Sequence, residues 1–171
     1  GSMGRHYVRR LAEHTPVRAM ARSDRDVEDL SQIPNVTGVK ADVTDLDSMR
    51  RATENVGIVF HTVANMSLTD WGTNNKVNVG GTENLAKAAE ENGIRHLHLV
   101  SSVGVYGGQE TDQHIKEDAP HNASNAYGVT KSRQESIVFD SSNRFEASAV
   151  RPANVIGPEI DVWTHAILNV L

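Results

Sequence analysis

A doubly wound parallel α/β sheet is the fold class this sequence predicts, and three observations predict it. Short apolar runs alternate with longer segments of helical periodicity, the signature of βαβ units. The runs are bounded by polar and turn-forming residues, as expected of strands covered on both faces. One of them ends in a cluster of hydroxyls and glycines, where open sheets of this kind place their ligands.

Taken in order, residues 1–3 (Gly1-Ser2-Met3) read as a cloning scar and stand outside the fold argument. Residues 4–14 read as a helix that begins with no strand before it. The runs at 17–21 (VRAMA), 36–40 (VTGVK), 58–62 (IVFHT), 97–100 (LHLV) and 147–151 (ASAVR) read as strands. Segments 45–55, 78–92 and 124–140 suit helices. Within 78–92, Leu85, Ala88 and Ala89 recur at i, i+3 and i+4, the stripe of a helix packed on a sheet, and Gly93 follows as a C-cap. The longest irregular stretch, 104–123, is rich in Gly, Asp and His, and loops of that length often carry function. Its Gly107-Gly108 pair and the acidic residues after it read as the rim of a substrate mouth. Residues 4–158 form the nucleotide-binding domain of this reading. Residues 159–171, amphipathic from 161, start a substrate-domain region.

Composition narrows the function. With 171 residues, 38% of them hydrophobic, the chain can bury the core of one ordinary domain. A formal net charge of −5 excludes nucleic acid as a partner, and Arg5, Arg9 and Arg10 read as a solvated helix face. The absence of cysteine excludes disulfides, zinc ribbons and thiol chemistry. No apolar run approaches the ~18 residues of a spanning helix, so no membrane partner is expected and the cytoplasm is the expected compartment. His96 and His98 share one strand face, but without cysteine or a matched carboxylate pair they read as strand-flank packing, and no metal is expected.

The chemistry lies in three segments. Tyr127-Gly128-Val129-Thr130-Lys131 sets a phenol and an ammonium at i and i+4, one turn apart on a helix. A tyrosine of pKa about 10 is a poor acid or base at neutral pH, and a nearby cation favours its phenolate. Val100 to Gly107 runs from an apolar strand into hydroxyls and glycines, placing Ser102 at the carboxyl edge of a parallel strand. Arg151-Pro152-Ala153-Asn154-Val155-Ile156-Gly157-Pro158 leaves the last strand through a proline-constrained loop. A surface helix face, a strand-ending turn and a proline loop explain each segment alone, but not all three in this order.

At these residues the chain resembles the extended short-chain dehydrogenase/reductase family, which includes the nucleotide-sugar epimerases and dehydratases. The resemblance implies a Rossmann-type fold, with Ser102, Tyr127 and Lys131 as catalytic serine, tyrosine and lysine. Asn78-Val79-Gly80-Gly81-Thr82 resembles the family's helix-opening motif, and Pro152 and Val155 belong to a segment similar to its nicotinamide-side loop. The segment with Asp42 and Val43 is similar to the one whose aspartate and following amide hold the adenine ring. Val63 and Ala64 resemble the strand end that passes beneath the cofactor. Of the family's glycine-rich turn, GxxGxxG, only the last glycine matches, at Gly4, and the family's C-terminal substrate domain lies outside the match. In strand order 3-2-1-4-5-6 the first strand falls between 17–21 and 58–62, so an ordered structure is expected to fill that slot. The filling could be a strand outside this chain, a segment of a neighbouring molecule, or direct pairing of the two runs.

Cofactor choice turns on the end of the second strand. Arg22, followed by Ser23, suits the 2′-phosphate of NADP through charge-assisted bonds. NAD is the alternative, if Asp24 takes the acidic role that binds a ribose 2′-hydroxyl. The family mechanism implies an NAD(P)-dependent oxidoreductase acting on a small-molecule hydroxyl or carbonyl, and a homodimer is compatible with it. Asp70-Trp71-Gly72 resembles the steroid-dehydrogenase and flavonol-reductase branch. The second reading is a nucleotide-sugar epimerase or dehydratase with a tightly held cofactor. The third is an idle nucleotide-binding protein, against which the intact Ser-Tyr-Lys set argues.

Overall fold

The computed structural model describes residues 1–108, 114–141 and 144–157. The chain divides into two compact units, Gly1–Asp42 with Pro152–Leu171, and Val43–Arg151. Pro158 and the expected substrate-domain region at 159–171 lie outside the described residues, as do positions 109–113 of the long loop.

The first unit contains α1 (Ser2–Ala12), β1 (Val17–Ala21), α2 (Asp24–Ser31) and β2 (Val36–Lys40). Strands β1 and β2 pair in parallel, in register from Val17↔Val36 to Ala21↔Lys40. Ser2 and Met3 are helical, so two of the three residues set aside as a scar belong to α1, and Gly4 lies inside its first turns rather than at its start. Helix α2 was not foreseen, because only Val27 and Leu30 in its DRDVEDLS sequence are strongly apolar. Its start signal is local: Ser23 Oγ accepts from the Asp26 amide at 3.1 Å and donates to Asp26 Oδ2 at 2.6 Å.

The second unit contains α3 (Leu46–Ala52), β3 (Ile58–His61), α4 (Trp71–Asn74), α5 (Gly81–Glu91), β4 (His96–Val100), α6 (Ala126–Asp140) and β5 (Glu146–Val150). A π-helical turn, Asn75–Gly80, joins α4 to α5, and a 3₁₀ turn, Val103–Tyr106, follows β4. The sheet is parallel in the order β3-β4-β5. Its central strand supplies the core: Leu97 and Leu99 have no solvent exposure, and neither do Ala88 and Ala89 of the expected α5 stripe.

The strands therefore form two ladders, β2–β1 and β3–β4–β5, which are the 3-2 and 4-5-6 portions of the expected order. Direct pairing of 17–21 with 58–62, one of the expected fillings of the central slot, is not among the ladders. His96 Nε2 and His98 Nδ1 both hydrogen-bond Ser148 Oγ on β5, at 2.7 and 2.8 Å.

The 3₁₀ turn ends at Gly107, with φ 73° and ψ −171°, a region essentially reserved for glycine. A Cβ there would also lie 2.3 Å from the Asn122 carbonyl oxygen. Gly107→Ala is therefore expected to destabilise the fold by about 2 kcal/mol or more. Urea denaturation checks this; an unchanged midpoint would contradict it.

Candidate functional site

Where β4 ends, Ser101 and Ser102 carry the chain into the 3₁₀ turn. Ser102 Oγ accepts from the Gly104 amide at 3.0 Å, which leaves its own proton to be donated elsewhere. The same hydroxyl acts on the Tyr127 phenol, favouring its ionised form. Tyr127 stands in the first turn of α6, whose start is capped by Asn125 Oδ1 accepting from the Gly128 amide at 2.8 Å. Gly128 makes the approach possible. A Cβ on it would lie 2.5 Å from the Gly104 carbonyl oxygen and 2.8 Å from Ala123 Cβ. Burial pushes the Tyr127 phenol up, and the Ser102 hydroxyl draws it back in part.

One turn further on, Lys131 is 1% exposed. Its Nζ donates to the Val100 carbonyl and to Gln134 Oε1, both at 2.7 Å. Burial pulls the ammonium down to about 8, opposed by the charge of Glu135. The i, i+4 spacing thus places Tyr127 and Lys131 as expected along α6, while the ammonium is engaged by the strand end and its own helix.

Behind Lys131 runs a chain of buried polar groups. Gln134 Nε2 donates to Thr82 Oγ1 at 2.7 Å and lies 3.2 Å from His61 Nε2; Thr82 Oγ1 donates to the Asn78 carbonyl at 2.6 Å. His61 is 3% exposed, and burial, reinforced by the Lys131 charge, holds its imidazole down at about 3. Asn78 is fully buried, and its side chain serves the protein. Its Oδ1 accepts from the Asn65 amide at 2.7 Å, and its Nδ2 donates to the Asn65 carbonyl and to Thr130 Oγ1, both at 3.0 Å. With Asn74, which bonds Asn65 and the Ser67 carbonyl, it pins the coil after β3 that holds Val63 and Ala64.

A second network closes the other side. Glu135, 2% exposed, accepts from Ser101 Oγ and, in bidentate fashion, from Arg151 Nε at 2.9 Å and a terminal nitrogen at 2.6 Å. Arg151 also bonds Tyr106 Oη and the Glu117 carbonyl. Burial alone would raise the Glu135 carboxyl; the bonds from Arg151 and Ser101 outweigh it and hold the group below the ordinary range. Sequence reasoning missed Gln134, Glu135 and His61. The one available signal was Glu135 at i+4 from Lys131, which on a surface helix is an ordinary solvated pair.

The structure thus gathers Ser102, Tyr127, Lys131, Asn78, Val63, Ala64 and Val43 in the second unit. Val43 is buried. Gly4, Arg22, Ser23, Asp42, Pro152 and Val155 belong to the first unit. Arg22 is exposed, Ser23 is occupied in capping α2, and Asp24 pairs with Lys40 at 2.8 Å. Pro152 and Val155 are half-buried in the coil after β5. Among the described residues no group of His, Asp or Glu is placed to hold a metal, and no helix is long and apolar enough to cross a membrane.

The model of the NAD dependent epimerase/dehydratase family matches residues 1–170. Sterol demethylase protein B of Methylococcus capsulatus is 30% identical over 164 residues, covering 92% of this chain and 50% of that protein. The mouse 3 beta-hydroxysteroid dehydrogenase type 7 is 29% identical, covering 92% and 48%. The Bordetella bronchiseptica enzyme WbmG, solved in complex with NAD and UDP, superposes with a TM-score of 0.81 at 25% identity, covering 95% of this chain and 53% of that one. The chain spans about half the length of the curated relatives it matches.

The buried histidine gives a stability signature. Its folded pKa, about 3, lies below the unfolded value near 6.5, so between these values the unfolded state binds one proton more. Stability is whole above about pH 6.5 and falls toward pH 3, with a slope of up to about 1.4 kcal/mol per unit from this group. His61→Gln, which cannot titrate, is expected to flatten that limb in urea melts taken from pH 7 to 4. Parallel limbs in both proteins would contradict the assignment.

Proposed function

The chain belongs to the NAD dependent epimerase/dehydratase family, and on that premise we propose that it is the dinucleotide-binding part of an enzyme moving hydride to or from a hydroxyl or carbonyl carbon. The observation that carries this reading is the set of Ser102 at the end of β4, Tyr127 in the first turn of α6, and the buried Lys131 ammonium one helical turn on. The donor set suits a nicotinamide ribose, since an ammonium with two bonds to protein has one N–H left for a sugar hydroxyl. When bound, a nicotinamide dinucleotide supplies or takes up the hydride. Tyr127 exchanges a proton with the substrate oxygen. Ser102 donates to that oxygen as its charge changes. Lys131 holds the ribose and favours the phenolate that burial opposes. Gly4 is assigned to the pyrophosphate, Asp42 and Val43 to the adenine, and Pro152 and Val155 to the nicotinamide side.

Apolar side chains flank the same edge. The Leu68 carbonyl accepts from the Ala126 amide at 3.0 Å, next to Tyr127, and the Leu68, Met66 and Val103 residues are 59%, 56% and 41% exposed. They support a substrate with an apolar body, as the names of the steroid-acting relatives suggest. Nucleotide-sugar epimerisation or dehydration is the second reading, supported by the UDP bound to WbmG. For the cofactor we assign NADP over NAD. With Asp24 paired to Lys40 and Ser23 in the α2 cap, Arg22 is the exposed group at the strand end suited to a 2′-phosphate.

In the full-length enzyme, Tyr127→Phe is expected to lower turnover by about 10²–10⁴-fold while leaving cofactor affinity nearly unchanged. Lys131→Met is expected to damage both. Steady-state kinetics with fluorescence titration of the reduced cofactor checks this; near-wild-type turnover by Tyr127→Phe would overturn the assignment.

Arg22→Ala is expected to weaken NADP binding by roughly ten- to a hundredfold and NAD binding far less, since only NADP carries the 2′-phosphate. Equal losses for the two cofactors, measured by calorimetry, would refute the preference.

A further inference from the structure

The polar chain behind Lys131 has a single direction. An ammonium can only donate, so Gln134 must turn its amide oxygen toward Lys131 and its nitrogen toward Thr82 and His61. The amide nitrogen donates to Thr82 Oγ1, whose own proton goes to the Asn78 carbonyl, while His61 Nε2 lies 2.9 Å from that hydroxyl and 3.2 Å from the amide nitrogen. Gln134 is fully buried, and its orientation is fixed at both ends. A core position of this kind could be filled by Leu or Met with no polar group to satisfy, so the amide calls for a reason.

We infer that Gln134 is a positioning residue for Lys131. Together with the Val100 carbonyl it takes two of the three ammonium N–H groups, and so fixes the direction of the third. The inference rests on the reading above, in which Lys131 serves proton transfer and holds the cofactor. Two titratable groups act on the ammonium, Glu135 and His61, and Glu135 is in turn paired with Arg151 and His121. Glu135 lies on α6 itself, and His61 faces it from β3. Arg151 beyond β5 and Tyr106 from the 3₁₀ turn bond each other, and Arg151 is paired with Glu135.

The test is a titration of the Lys131 side chain in the full-length protein carrying ¹³C-labelled lysine. Its Cε resonance is identified by its loss in Lys131→Met. Gln134→Met removes an acceptor from the charged form and is expected to move the midpoint down by about one pH unit or more. Gln134→Glu keeps an acceptor and adds a negative charge, and is expected to move it up by a similar amount. Either variant alone decides the matter. A midpoint unchanged from wild type, even with a lowered melting temperature, reduces Gln134 to a packing role and overturns the inference. The pH dependence of NADPH affinity separates this from the functional reading. If the Lys131 midpoint moves and the affinity profile does not follow, the inference stands and the assignment of Lys131 to the cofactor fails.

Discussion

Placing the Lys131 ammonium where 1% of the residue reaches solvent costs several kcal/mol of hydration unless the protein replaces the lost water contacts. That requirement organises the second unit. The Val100 carbonyl is available because β4 ends there, Gln134 because α6 presents it one turn on, and Glu135 supplies a compensating charge. Glu135 is itself buried, so it brings in Arg151 and Ser101. Arg151 then bonds Tyr106 and the loop at Glu117. One buried cation therefore links the ends of β4 and β5, helix α6 and part of the long loop.

The energetic weight of these contacts differs sharply from that of the surface pairs. Arg50 meets Glu91 and Asp47 in good geometry, yet all three side chains are well exposed, and such pairs contribute little. Removing one partner of the Glu135–Arg151 pair would instead leave a charge stranded near the core. The asparagine clamp works on the same principle with neutral groups. Asn74 and Asn78, both fully buried, meet the polar backbone of the coil after β3, which ordered loops must satisfy in some way. The π-helical turn at Asn75–Gly80 follows the first of these asparagines and contains the second.

Much of this was legible in the sequence, and the remainder was hidden for identifiable reasons. Strands read well because their apolar runs are short and isolated: β1 and β2 fall at the expected residues, and the others within a position of them. Helix α2 was missed because its stability signal is a single serine cap rather than an apolar stripe. The Ser102, Tyr127 and Lys131 set was legible as a spacing, but not the direction in which Lys131 points. Helix α6 buries Thr130, Lys131, Gln134 and Glu135, residue types that pattern reading sends to the solvent face. Gly128 likewise declares itself only in three dimensions, through the Gly104 carbonyl beneath it.

Lys131 is held from behind by the fold, and in the proposed reading its remaining N–H serves a ribose hydroxyl. A crystal structure of the full-length protein with its dinucleotide tests this most directly, through the surroundings of Lys131 Nζ. The bonds to the Val100 carbonyl and Gln134 Oε1 are expected to persist, near 2.7 Å, while the third N–H meets a ribose hydroxyl. A lysine that leaves both partners to reach the cofactor, or that never approaches the ribose, would contradict it.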